Sequence, residues 1–128
     1  KSTLLNHILG QKISITSRKP QTTRHQILGV KTSETAQVIY VDTPGIHNRR
    51  GTAINKYMNR AASSVLSDVD IVLFVVQALQ WTEEDEIVLS RLENIKVPVL
   101  LVVNKVDKVN EKTELLPYIE KISAMRDF

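Results

Sequence analysis

Apolar positions along this chain change period several times, and each change marks an expected element. Leu4, Leu5, Ile8 and Leu9 fall at helical spacing within Ser2–Leu9, and Gly10 follows as a stop signal. Gln11–Arg24 is polar, with Pro20 and the paired threonines Thr22 and Thr23, and reads as a loop. Gln26–Thr32 and Ala36–Val41 alternate as strands do. The polar turn Ser33-Glu34-Thr35 joins them, which predicts a hairpin and one antiparallel strand. Asp42-Thr43-Pro44-Gly45 then breaks the second strand. Asn55–Leu66 has helical spacing, with Tyr57 or Met58, Ala61, Ala62 and Val65 on one face. Ile71–Val76 and Val99–Val103 are continuous apolar runs, the pattern of central parallel strands buried on both faces. Between them Thr82 is placed to cap a helix whose first turn holds Glu83, Glu84 and Asp85. A last helix is expected over Lys112–Met125. Strands alternating with helices define an α/β layered fold with a mostly parallel sheet. Ligands of such folds bind at the carboxyl ends of the strands.

Composition narrows the picture only a little. The 128 residues are 42% hydrophobic and 24% charged, the balance of one globular domain. The net charge of +3 permits an acidic partner such as nucleic acid without requiring one. The absence of cysteine excludes disulfides and thiolate metal sites. The longest apolar runs, Ile71–Val76 and Val97–Val103, fall far short of the roughly 20 residues of a membrane-crossing helix. No secretion signal is visible, and because Lys1 is not an initiator methionine, further sequence is expected upstream.

Three segments carry chemistry, and each sits where a strand ends or a helix begins. Lys1-Ser2-Thr3 opens the first helix as the last residues of a phosphate-binding loop would. There the lysine reaches phosphate, the serine hydroxyl holds Mg²⁺ and the helix N-terminus favours the anion. Alone, three such residues carry almost no information. Val41-Asp42-Thr43-Pro44-Gly45 offers a carboxylate at a strand end, able to hold Mg²⁺, and a glycine whose N–H can approach a γ-phosphate. It also reads as an ordinary turn. Asn104-Lys105-Val106-Asp107 follows the second apolar strand. The Asp107 carboxylate can accept two hydrogen bonds at once, from N1–H and the exocyclic amine of guanine. Adenine offers no such donor pair. Asn104 would brace loop and base, and the Lys105 stem would cover the ring. The order of the three, with about 40 residues from the first to the second and about 60 more to the third, is that of a GTPase. In the loop before the hairpin, Thr22 or Thr23 can place a hydroxyl on Mg²⁺ and an N–H on the γ-phosphate. Thr23 is favoured, and GTP would order this segment.

Lys1-Ser2-Thr3-Leu4-Leu5-Asn6, Pro20-Gln21-Thr22-Thr23-Arg24, Tyr40-Val41-Asp42-Thr43-Pro44-Gly45-Ile46-His47 and Asn104-Lys105-Val106-Asp107 together resemble the Era GTPases, of the TrmE–Era–EngA group. The segment Gly10-Gln11-Lys12-Ile13-Ser14-Ile15-Thr16-Ser17 is similar too, and the likeness runs the length of the chain. The resemblance implies a P-loop NTPase fold of three α/β/α layers. Its cofactors would be GTP or GDP and Mg²⁺, with a monovalent cation such as K⁺ a further candidate. It implies a GTP-hydrolysing switch in small ribosomal subunit assembly. The 16S rRNA and the 30S subunit would be partners through a following KH domain. It further implies a cytoplasmic protein with peripheral association at the bacterial inner membrane. By this resemblance Lys1, Thr23 and Gly45 would act in catalysis. Lys1, Ser2, Thr3, Thr22, Thr23, Asp42, Gly45, Asn104, Lys105 and Asp107 would bind nucleotide, and Ser2, Thr23 and Asp42 the metal.

Departures from the family pattern set further expectations. The first strand, the glycines of the phosphate loop, the Ser-Ala base contact and the KH domain are expected to lie outside residues 1–128. The chain is thus expected to be a partial GTP-binding domain that binds nucleotide poorly by itself. Ser123-Ala124 imitates the base contact but has no strand before it. Ile46 occupies the position after the glycine, where related GTPases carry a water-orienting glutamine, and an aliphatic chain cannot hydrogen-bond water. Slow hydrolysis follows, or help from a cation, a main-chain group or a partner. Arg24, Arg49 and Arg50 read better as basic surface than as an arginine finger, and His47 as an exposed loop histidine. The second reading is a guanine-nucleotide module with little turnover, serving as an RNA-binding scaffold. A P-loop ATPase or kinase is argued against by Asp107.

Overall fold

The computed structural model describes residues 1–13, 27–43, 65–66 and 68–128. The expected loop Gln11–Arg24 and helix Asn55–Leu66 lie almost wholly outside them. The chain forms two compact units, Lys1–Ser67 and Asp68–Phe128.

The first unit opens with helix α1, Ser2–Leu9. It ends where Gly10 turns to φ 71°, ψ 11° and donates its N–H to the His7 carbonyl. Residues with a Cβ pay a steric penalty in that left-handed region, so a glycine there is a physical stop. Strands β1, Ile27–Thr32, and β2, Gln37–Asp42, pair antiparallel from Ile27↔Asp42 to Thr32↔Gln37. The Ser33 N–H donates to the Ala36 carbonyl at 2.8 Å and closes the expected hairpin. Asp42 is the last residue of β2, not its break. Helix α1 approaches β1 closely: a Cβ on Gly29 would meet the Leu9 methyl groups. Lys31 Nζ donates to the Ile8 carbonyl at 2.7 Å, satisfying an acceptor at the helix C-terminus.

In the second unit β3, Val72–Gln77, and β4, Val99–Asn104, pair in parallel from Val72↔Val99 to Gln77↔Asn104. Both strands extend past the apolar runs to take in a polar residue at the carboxyl end. Burial on both faces is not found among the described residues. Phe74 and Val76 are buried, whereas Leu73 and its register partner Leu100 are 42% and 49% exposed. Successive side chains of a pleated strand leave by opposite faces. An unbroken apolar run therefore shows that both faces are apolar, not that both are covered. The covered face is built around Phe74. Its ring meets Trp81 edge-on at 6.1 Å and stacks with Phe128 at 6.2 Å between centroids.

Helix α2, Glu83–Leu92, starts on Thr82 as expected, with a reciprocal capping box. Asp85 N donates to Thr82 Oγ1, and Thr82 N donates to Asp85 Oδ2 at 2.9 Å. The last helix is shorter than its pattern. A 3₁₀ turn, Lys112–Glu114, precedes α3, Leu115–Ser123. Pro117 has no N–H to give to the Thr113 carbonyl, so the α-helical ladder cannot run unbroken back to Lys112. Leu92 and Ile122 are the most deeply buried side chains of this unit, and the Arg126 guanidinium donates to the Leu92 carbonyl. Ser123-Ala124 closes α3 with no strand before it.

Candidate functional site

The phosphate-side residues lie in the first unit. Ser2 enters α1 at its first turn, and Asp42 ends β2. Although 40 positions apart, Ser2 Oγ donates to Asp42 Oδ2 at 2.6 Å. Asp42 is 7% exposed, the one buried charged side chain among the described residues. A buried carboxylate needs partners, and Ser2, from the first of the spaced motifs, is one of them. Two hard oxygen donors in contact at a helix N-terminus suit Mg²⁺. That ion takes few protein ligands and completes its shell with water and phosphate. The described residues contain no group of three or more His, Cys, Asp or Glu able to hold a metal, so an all-protein cage is not what they offer. Lys1 is the N-cap of α1 and Thr3 is exposed on its first turn. Thr22, Thr23 and Gly45 lie outside the described residues, as do Ile46 and the three loop arginines.

The base-side residues lie in the second unit, at the carboxyl end of β4. Asn104 closes the strand, and its Oδ1 accepts from Lys105 N at 2.8 Å. Lys105 turns to φ 62°, ψ 33°, a left-handed conformation uncommon for a residue with a side chain. A 3₁₀ turn, Val106–Lys108, follows, with Lys108 N donating to the Lys105 carbonyl at 3.0 Å. It leaves Asp107 exposed and buries Val109 behind it. An exposed carboxylate on this hydrogen-bonded turn can accept two hydrogen bonds from a flat donor edge. Lys105 Nζ donates to Gln77 Oε1 at 2.5 Å. Tyr118, from α3, directs its hydroxyl at the Gln77 and Gln80 carbonyls, 2.8 and 3.1 Å away. Burial, then the charge of Asp85, push the Tyr118 phenol above its ordinary pKa. Neither Gln77 nor Tyr118 was singled out from sequence. The available signal was a polar residue closing an apolar strand, at the same position in β3 as Asn104 in β4.

A strand-end carboxylate against a helix-opening serine, and an N-K-x-D turn after a parallel strand, define a P-loop GTPase. The family model for 50S ribosome-binding GTPases matches residues 1–105. GTPase Era of Marinobacter nauticus is 62% identical over all 128 residues, and that of Haemophilus ducreyi 60%. Among solved structures, Era in complex with MgGDPNP and nucleotides 1506–1542 of 16S ribosomal RNA superposes with a TM-score of 0.89 at 38% identity, over 96% of this chain. A point variant of Aquifex aeolicus Era bound to GDP and AlF4⁻ gives a TM-score of 0.88 at 38% identity. The chain belongs to this GTPase family, in its Era branch, and has the family's P-loop fold. It spans 42% of the length of these two curated relatives and of both structural neighbours.

Proposed function

We propose that this chain is the larger part of a GTP-binding domain that binds GTP and GDP with Mg²⁺ and hydrolyses GTP. It would belong to a longer Era-like protein acting in small ribosomal subunit maturation. The observation that carries the reading is the Asn104–Asp107 turn at the carboxyl end of a parallel strand, with the Asp107 carboxylate presented to solvent. In this reading Asp107 accepts from the two donors of guanine, Asn104 braces the turn, and the Lys105 stem covers the base. Lys1 and the first N–H groups of α1 receive phosphate. Ser2 Oγ and Asp42 hold Mg²⁺, with Thr23, or else Thr22, as a further ligand. Bound Mg²⁺ would neutralise charge developing on the phosphates. The Gly45 N–H would meet the γ-phosphate, and Thr23 would tie the preceding loop to the triphosphate state.

Ile46 can orient no water, so the intrinsic rate would be slow, and a monovalent cation such as K⁺ is a candidate aid. The same residue favours the second reading, a nucleotide-dependent RNA-assembly scaffold with incidental turnover. The RNA in the neighbouring Era complex supports 16S rRNA as a partner, and the resemblance to Era proteins would route that contact, and contact with the 30S subunit, through a KH domain beyond these residues. Among the described residues no helix is long and apolar enough to cross a membrane. The resemblance to Era proteins carries the further reading of a cytoplasmic protein with peripheral inner-membrane association.

Binding of fluorescent GDP, challenged with unlabelled GTP and ATP, tests the reading. It is to be measured on residues 1–128 and on a chain extended to the length of the relatives. The extended chain should bind, GTP should displace the label, ATP should not, and the short chain should be weak. Equal competition by ATP would remove Asp107 as a guanine reader. Multiple-turnover phosphate release separates the switch from the scaffold.

A further inference from the structure

Among the described residues two with side chains adopt left-handed backbone, and they stand at the ends of neighbouring strands: Leu79 at φ 57° after β3 and Lys105 at φ 62° after β4. Such conformations persist where surrounding contacts over-determine them, and they gather at functional sites. The contacts here are specific. Ala78 N donates to the Asn104 carbonyl at 2.8 Å, carrying the parallel ladder one residue past the strands. Gln80 N donates to the Gln77 carbonyl at 3.2 Å, closing the turn around Leu79. The Tyr118 hydroxyl reaches the carbonyls at both ends of that turn. Gln77 therefore has a backbone held by its strand, its turn and α3, and its Oε1 receives the Lys105 ammonium. A lysine stem is flexible and its ammonium is strongly hydrated. Holding it across the strand ends requires an acceptor whose own position is fixed.

We propose that Gln77 is a positioning residue for guanine recognition, holding Lys105 by its ammonium so that the loop after β4 presents the Lys105 stem and the Asp107 carboxylate in one arrangement. The inference rests on the nucleotide-binding reading given above. Without Gln77 the stem is free, and binding must order it. Ordering one long side chain on binding corresponds to about a fivefold loss of affinity, seen mainly as faster release.

The test is GDP affinity in the full-length protein for wild type, Gln77→Leu, Gln77→Glu, Lys105→Met and the double variant Gln77→Leu/Lys105→Met. Gln77→Leu should weaken GDP about fivefold without moving the melting temperature of the nucleotide-free protein. Gln77→Glu should stay within about twofold of wild type, with steeper salt dependence, because a carboxylate also receives the ammonium. In the Lys105→Met background Gln77→Leu should add nothing, a non-additivity that a merely structural role would not produce. The proposal is overturned if Gln77→Leu binds GDP as wild type does, if its penalty persists without the lysine, or if Gln77→Glu loses as much as Gln77→Leu. Those outcomes, in a protein that binds GDP and rejects ATP, leave guanine binding standing. A wild type that binds no GDP, or binds ATP equally, overturns both readings.

Discussion

At the scale of single residues the argument turns on which hydrogen-bonding atoms face a base. Asp107 offers two acceptors and no donor. An asparagine there offers one acceptor and one donor. Toward guanine, Asp107→Asn loses one hydrogen bond and sets an amide N–H against the exocyclic amine. Toward xanthine, which carries a carbonyl at that carbon, the same change creates a complementary pair. Hydrogen bonds to charged groups contribute about 1.5–3 kcal/mol, and tenfold in affinity is about 1.4 kcal/mol. GDP binding should then fall about a hundredfold in Asp107→Asn while binding of the xanthine nucleotide rises. Competition of the two diphosphates against a fluorescent analogue measures the exchange, and a variant that still prefers GDP would place base reading elsewhere. Ser2 and Asp42 teach a related lesson. Their roles were expected from motif chemistry and the spacing between motifs, and the fold brings their oxygens to 2.6 Å. Gln77 was passed over because its relevance lies in pairing with a lysine 28 positions away. That contact depends on strand register, which no local pattern encodes.

Elements were legible where the local chain dictates them. Gly10 ends α1 and Thr82 opens α2 because each supplies what the helix end lacks, a left-handed residue or a side-chain acceptor. The start of α3 was misread because helical periodicity runs smoothly through Pro117, whereas the hydrogen-bond ladder does not. How α3 is fastened was not legible at all. Its Tyr118 hydroxyl is the pin on the end of β3, and burial and Asp85 raise its pKa. The sign follows directly. The folded state favours the neutral phenol, so the stability Tyr118 contributes is complete below the ordinary phenol pKa of about 10 and is lost as pH rises through the raised value. Tyr118→Phe should cost about 1 kcal/mol at pH 7, the net contribution of its hydrogen bond. The difference from wild type should shrink above about pH 10, where the phenol of the unfolded chain ionises and the folded one resists ionising. Urea unfolding of both proteins from pH 7 to 11 tests this, and a difference that stays constant across the range would show that the phenol is not the pin.

At the scale of the whole molecule, the notable feature is how much apolar surface the described residues leave open. On one face of the β1–β2 hairpin Leu28, Val30 and Ile39 are 62%, 49% and 60% exposed, with Val30 and Ile39 directly paired. Ile71, just before β3, and the register partners Leu73 and Leu100 of the β3–β4 pair are also exposed. Scattered apolar residues on a surface need no explanation, but contiguous ones do. A strand face of this kind lowers its free energy by meeting another apolar surface, at roughly 25 cal/mol for each Å² removed from water. The 128-residue chain should accordingly self-associate as its concentration rises. Replacing Leu28, Val30 and Ile39 together by threonine puts a β-branched, strand-compatible side chain at each position and removes most of the driving force. Sedimentation velocity over a concentration series should show the wild-type chain shifting to larger species and the triple variant shifting less. The change must also be judged against folding, so the variant's far-ultraviolet circular dichroism should match that of wild type. A wild-type chain that stays monomeric throughout would mean that this face is covered in solution. Equal association in the variant would assign the contact to the second unit, where Leu73 and Leu100 form the next apolar pair.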